Sequence, residues 1–146
     1  MNLYTIGFTK KSAEEFFTFI GQNGIEILID VRLRNNTQLA GFTKGNDLAY
    51  FLKIICNCLY THEERFAPYK ELLDGYKKGI ISWDEYEMIY TNLYHKREMG
   101  LYFKEKYSQY NKALLLCSEP TPEHCHRRLL AECIRKDRPD VDIIHL

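Results

Sequence analysis

The sequence has no apolar run approaching the ~18 residues that a membrane span requires, so no transmembrane segment is expected. It opens on "MNLYTIGF", without a basic segment leading into a long apolar stretch, so no signal peptide is expected either. Charge of one sign is also missing. Twenty Lys and Arg balance twenty Asp and Glu, for a formal net charge of zero. That balance argues against a generally basic nucleic-acid coat and leaves only a local basic patch open. There is no C-x-x-C pair, no internal repeat, no low-complexity tract and no linker long enough to mark a domain boundary. Five cysteines, an odd number without a spaced framework, fit a reducing compartment better than a secreted disulfide scaffold, and a cytoplasmic location is expected.

What is present is an ordinary globular balance, with 45% apolar and 27% charged residues. At 146 residues the expectation is one domain over 1–146, large enough to bury a core without a metal or disulfide. Eleven Tyr and eight Phe read as core packing before they read as a stacking platform. Short apolar runs alternate with helical patterns. "LYTIG" (3–7), "IEILIDV" (25–31), "CLY" (58–60), "KALLLC" (112–117) and "VDIIHL" (141–146) predict five strands. Between the first two, Ser12 and Glu15 form a capping box, Ala13, Phe16, Phe17 and Ile20 an apolar face, and Gly24 a stop. A loop over 33–45 leads to a helix at about 46–56 that buries Leu48, Phe51, Leu52 and Ile55. Residues 66–110 read as helical, with Ser82 and Glu85 as a second capping box, and 122–136 as another helix. The pattern predicts a three-layer α/β/α fold around a mostly parallel sheet of about five strands, with 3-2-1-4-5 as the preferred order.

In such sheets ligands bind beyond the carboxyl ends of the strands, where connections diverge to opposite faces. "GFT" (7–9), "DVR" (30–32), the loop after it and "CSEPTPEHCHR" (117–127) each follow a strand and would converge there. Thr121 as N-cap and Pro122 at the first helical position would start the last helix and point its free N–H groups at Ser118 and Glu119. A thiol nearby, at Cys117, would tend toward thiolate. At roughly 100° per residue, Cys125, Leu129, Leu130, Cys133 and Ile134 would make one apolar stripe, so Cys125 reads as a small core residue. His126 would sit near the middle of that stripe and need a partner, from Asp30, Glu119 or the Cys117 sulfur. Arg127 would lie at its margin, and Arg128 would face solvent.

Asp30 and Arg32 leave their strand on the same side. They read either as an orienter of the imidazole and an anion holder, or as a mutual ion pair fixing the loop. Gly7 permits close approach of backbone to a ligand, and Thr9 adds a hydroxyl. Ser118 lacks the G-x-S-x-G elbow of a serine hydrolase. No metal and no cofactor are expected. Cys125 and His126 would diverge by about 100° on a helix, and Cys56 and Cys58 have no partner nearby in sequence.

"YTIGFT" (4–9), "LIDVR" (28–32), "GFTK" (41–44), "LLCSEPTPEHCHRRLLAE" (115–132) and the closing "IIHL" resemble the domain of unknown function 488 family, in the same order over nearly the whole chain. The resemblance implies a compact α/β domain, without an agreed reaction. It puts Gly7, Asp30, Arg32, Cys117, Glu119, Cys125, His126 and Arg127 at the family's characteristic positions. The family commonly has His where this chain has Phe8, which removes one acid, base or ligand. "LIDVR" also resembles a piece of a rhodanese domain. A rhodanese-type anion cradle needs a short loop from cysteine to arginine, whereas Cys117 and Arg127 are ten positions apart, with Pro120 and Pro122 between them.

Three functions compete. In the first, an enzyme acts on an anionic, phosphate- or nucleotide-bearing substrate. Cys117 is its nucleophile, His126 its base and Asp30 the orienter, with Glu119 beside them; Arg32 and Arg127, with Gly7 and Thr9, hold the anion. In the second, Arg32, Arg34, Lys44 and Arg127 form a patch that binds a small anionic ligand or a nucleic-acid end without turning it over. In the third, the polar cluster only knits loops over the sheet. Oligomeric state is left open.

Overall fold

The computed structural model describes residues 1–36 and 40–146. Part of the expected loop at 33–45, residues 37–39, lies outside the described residues. The elements are β1 (Asn2–Gly7), α1 (Ala13–Asn23), β2 (Ile27–Asp30), α2 (Gly45–Phe51), β3 (Leu59–His62), α3 (Lys70–Lys77), α4 (Trp83–Lys96), α5 (Met99–Tyr107), β4 (Lys112–Cys117), α6 (His126–Asp137) and β5 (Asp142–His145). The sheet is five-stranded and all parallel.

Its order is 3-2-4-1-5, not the expected 3-2-1-4-5. β4 lies between β2 and β1, pairing Asp30 with Leu116 on one side and Gly7 with Cys117 on the other. The sequence pattern could not rank β1 against β4, because both are buried over five consecutive residues and both would suit the centre. The exchange matters for the site. It moves Cys117 one strand closer to the end of β2, so the Val31 N–H donates to the Leu116 carbonyl at 3.1 Å.

Period-two alternation assigns the side chains to two cores. Leu3, Ile27, Ile29, Val31, Ala113, Leu115 and Cys117 face a layer built by α3–α6, including Tyr86, Tyr90, Phe103, Leu129 and Leu130. Tyr4, Ile6, Phe8, Leu28, Leu114 and Leu116 face the other layer, which contributes Phe16, Phe17, Ile20, Leu48 and Leu52. The three layers follow directly.

α1 starts where its capping box predicts, with the Ser12 and Glu15 bonds both made, and stops at Gly24 in the left-handed region at φ 63°. At α4 the Ser82 side chain accepts from the Glu85 N–H. The expected helix at 46–56 is regular only to Phe51. It then widens into a π-helical turn at Leu52–Cys56, which leaves Ile54 and Ile55 more than half exposed. Burial of Ile55 was expected from a regular helical phase, and the wider turn changes that phase. The excursion over 66–110 is three helices, interrupted at Gly79 (φ 74°) and Glu98 (φ 51°). The last helix begins at His126 rather than 122. Residues 118–125 form an irregular loop with Cys125 at the N-cap in extended conformation. Pro120 and Pro122 suit such a loop, because neither supplies an N–H to helical turns. No helix among the described residues is long and apolar enough to cross a membrane.

Candidate functional site

Three strand ends meet at the carboxyl rim of the sheet, those of β1, β4 and β2. Their side chains divide between its two faces, and this division decides which residues can share chemistry.

On the α1–α2 face, Asp30 and Arg32 are partners of each other. Arg32 Nε donates to Asp30 Oδ1 at 2.8 Å and Nη2 to Oδ2 at 2.7 Å, with both side chains buried. Tyr60 donates its hydroxyl to Asp30 Oδ2 at 2.7 Å. Arg32 Nη2 also reaches the Thr43 carbonyl at 2.7 Å, and its guanidinium lies 5.3 Å from the Phe8 ring centroid. Every Arg32 nitrogen thus has a protein acceptor, which ties the β2 rim to the turn at Gly41–Thr43. Of the two readings open for this pair, the geometry is that of the mutual ion pair. Asp30 makes no bond to His126, because residues 30 and 31 point to opposite faces of the strand.

On the α3–α6 face, Cys117, Cys125, His126 and Arg127 lie together, all buried. Cys117 Sγ is 3.7 Å from His126 Nδ1. His126 Nε2 lies 2.8 Å from the Val31 carbonyl oxygen. A carbonyl can only accept, so Nε2 carries the proton of this bond; Nδ1 is the nitrogen nearer the sulfur, which lies 4.0 Å from Nε2. The orienting group is therefore a backbone carbonyl, not Asp30 or Glu119. A side-chain reading of the sequence has no signal for it. The Tyr90 ring, 5.8 Å from the imidazole between centroids, closes the far side.

Cys125 departs from its expected place. With the helix starting at His126, four residues later than expected, it is not on the helical stripe. Its sulfur turns into the cluster, and the Cys117, Cys125 and His126 donor atoms lie within 4.8 Å of one another. The expectation that Cys125 and His126 diverge failed because it assumed a helix through 122–136. These three donors could hold a metal ion such as zinc. Arg127 lies against this group: its Nη1 donates to Cys125 Sγ at 3.3 Å and to the Glu119 carbonyl at 2.8 Å. Nε and Nη2 of Arg127 are buried without any partner, and no carboxylate pairs with it among the described residues.

Electrostatics follow from this arrangement. The bond from the Cys125 thiol, with the positive charges of His126 and Arg127, holds the Cys117 thiol well below its ordinary value despite burial. Burial, reinforced by the Cys117 charge, pushes the Cys125 thiol well above it. Burial works against charge on His126, but the Cys117 sulfur and the Val31 carbonyl raise its pKa overall.

Gly7, Thr9 and Glu119 hold the loop over this cluster. The Thr9 N–H donates to the Ser118 carbonyl at 3.3 Å, and the Thr9 hydroxyl donates to the same oxygen. Gly7 lies directly under the Glu119 carbonyl. The Glu119 side chain is exposed, and only its backbone touches the cluster. At the other end of the loop, His124 packs on Trp83 with centroids 4.9 Å apart. The proposed basic patch is split: Arg34 and Lys44 are exposed, but Arg32 and Arg127 are 4% and 0% exposed. A cavity of about 430 Å3 lies elsewhere, on the α1–α2 side, among Ala13, Phe17, Phe42, Phe51 and Ile55.

Fold and site together define a parallel α/β protein with a thiol–imidazole–guanidinium cluster at the carboxyl rim of its sheet. The family model for the domain of unknown function DUF488 matches residues 12–134, and the chain belongs to that family. No curated protein and no solved structure matches the chain.

Proposed function

We propose that the protein is a thiol-dependent enzyme, with Cys117 as nucleophile, His126 as its base and Arg127 as the group that meets negative charge on the substrate. The observation that carries this reading is the 3.7 Å approach of His126 Nδ1 to Cys117 Sγ, with the opposite ring nitrogen tied to the Val31 carbonyl. An imidazole held in that tautomer can take the thiol proton, and a thiolate beside two cationic groups is an activated nucleophile. The unpartnered Nε and Nη2 of Arg127 supply donors for an anionic, phosphate-bearing group. Asp30, Arg32, Gly7, Thr9 and the Glu119 backbone serve as positioning residues that fix the strand ends and the loop. Because Cys117 is only 5% exposed, reagents reach it by displacing the 118–125 loop, so the substrate end that enters is small.

The test is competitive alkylation with iodoacetamide at neutral pH, mapped by peptide mass spectrometry. Cys117 is expected to react at least ~10-fold faster than Cys133, since a tenfold rate corresponds to only ~1.4 kcal/mol of barrier. His126→Gln should remove most of that advantage, and inorganic phosphate should slow the reaction of the parent chain. Equal labelling of Cys117 and Cys133 in the folded protein would count against the enzyme. Retention of full Cys117 reactivity in the His126 variant would remove the base from the mechanism.

A further inference from the structure

Cys125 has no role in the reading above, yet it is the sulfur that the fold brings to Cys117. The two Sγ atoms lie within 4.8 Å, both side chains are buried, and each thiol is free. The chain between them, residues 118–124, has no helix or strand to resist a shift. Cys125 precedes the first turn of α6, so its sulfur can move without breaking that helix's hydrogen bonds. Their surroundings differ: the Cys117 sulfur lies 3.7 Å from His126 Nδ1, while the Cys125 sulfur accepts from Arg127 Nη1 at 3.3 Å. Arg127 Nη1 contacts Cys125, and its other two nitrogen groups have no acceptor among the described residues.

We propose that Cys117 and Cys125 form a dithiol pair that reduces a small hydroperoxide and closes to an intramolecular disulfide. The inference rests on Cys117 being the reactive thiolate and goes beyond it by assigning Cys125 and a substrate class. In the first step the Cys117 sulfur attacks the terminal peroxide oxygen and the O–O bond breaks. The departing alkoxide or hydroxide takes the proton held on His126 and leaves as alcohol or water. Cys117 is now a sulfenic acid, oxidised by the two electrons that reduced the peroxide. In the second step the Cys125 sulfur attacks the Cys117 sulfur, an S–S bond forms and the S–OH bond breaks. The hydroxide leaves as water with the Cys125 proton. Overall, two thiols and one hydroperoxide give one disulfide, one alcohol or water, and one further water. A low-molecular-weight thiol, itself oxidised to its disulfide, returns the pair to the reduced state by exchange.

The enclosure of the site favours this substrate class. With Cys117, Cys125, His126 and Arg127 at 5%, 3%, 4% and 0% exposure, a reagent of two or three heavy atoms enters with the least movement of the loop.

The experiment treats the full reduced chain with one equivalent of hydrogen peroxide, then follows free thiols, intact mass and a non-reduced peptide map. The expected result is loss of two thiols, a mass lower by two hydrogens, and one cross-linked peptide pair joining Cys117 to Cys125. In Cys125→Ser the product should instead carry one added oxygen on Cys117, trapped by dimedone. A parent chain that gains oxygen on Cys117 without forming the cross-link would overturn the role of Cys125. Fast iodoacetamide labelling of Cys117 in that same sample would show that the thiol-enzyme reading survives alone. Slow labelling together with no peroxide reaction would sink both. Stoichiometric zinc that shields both thiols until a chelator removes it would overturn the dithiol proposal in favour of a metal site.

Discussion

Replacing Gly7 by alanine tests the packing that holds the cluster shut. A methyl group on Gly7 would lie 2.7 Å from the Glu119 carbonyl carbon, with the carbonyl oxygen nearer still, and 3.2 Å from Arg127 Nη1. Relaxed carbon–carbon contacts lie at roughly 3.5–4.0 Å, so the loop must retreat by about 1 Å. Backbone cannot yield as a flexible side chain would. A retreat of that size stretches the 2.8 Å bond from Arg127 Nη1 to the Glu119 carbonyl beyond useful length. Overpacking a tight site costs about 1–3 kcal/mol, and losing a hydrogen bond from a buried charge about 1.5–3 kcal/mol. Together they give about 2.5–6 kcal/mol, which at roughly 2–4 °C per kcal/mol lowers the Tm on the order of 10 °C. Calorimetry or thermal circular dichroism reads the shift. Gly21→Ala is the control: it sits in α1 with nothing within 4 Å of the added methyl, and should gain about 0.5–1 kcal/mol from helix propensity. The same chemical change thus has opposite signs at two positions. If Gly7→Ala melted within ~1 °C of the parent, about the effect of a neutral surface change, the loop could not be seated on the end of β1 as described.

Asp30→Asn should cost about 3–5 kcal/mol in urea unfolding, because it leaves the buried Arg32 charge without its carboxylate. A cost below ~1 kcal/mol would mean that the pair is solvated like a surface bridge. In a pH series, Cys117 alkylation should continue well below the ordinary thiol range, whereas Cys58, pushed up to about 12 by burial, should react only in strong alkali. Stability should carry the same signature. The depressed Cys117 pKa contributes stability that is full above the unfolded thiol value and is lost as pH falls through the folded one. The raised His126 pKa contributes stability that is full below about 6.5 and is lost as pH rises through its folded value. Cys117→Ala should abolish the first and weaken the second; unchanged pH–stability curves in that variant would show that the two groups do not titrate against each other.

Local chemistry made much of the fold legible before any coordinates. The box at Ser12 and Glu15 and the glycine at 24 bound α1 because capping bonds and a left-handed φ are decided within one turn of chain. The unbroken apolar character of β1, β2 and β4 required a sheet covered on both faces. The composition of "CSEPTPEHCHR" marked the rim where chemistry gathers. Its weak point was the start of α6. Thr121 and Pro122 look like a helix start, but the rim contacts of Ser118, Glu119 and Cys125 hold the segment as a loop up to His126. That shift of four residues took Cys125 off the helical stripe and set its sulfur, still in the core, beside Cys117.

The sequence by itself determined which residues carry thiol, imidazole and charged groups, which segments are mainly strands and helices, and that those residues follow strands. Only the tertiary structure decided which of them share a face. Exchanging β1 and β4 leaves every local pattern unchanged, because strand pairing across the sheet is a contact between distant segments. The pleat then sends Asp30 and Arg32 to one side and Cys117 to the other, and places the Val31 carbonyl against His126. A one-residue step along a strand reverses the direction of a side chain, so the fold rather than the motif chose the imidazole's partner.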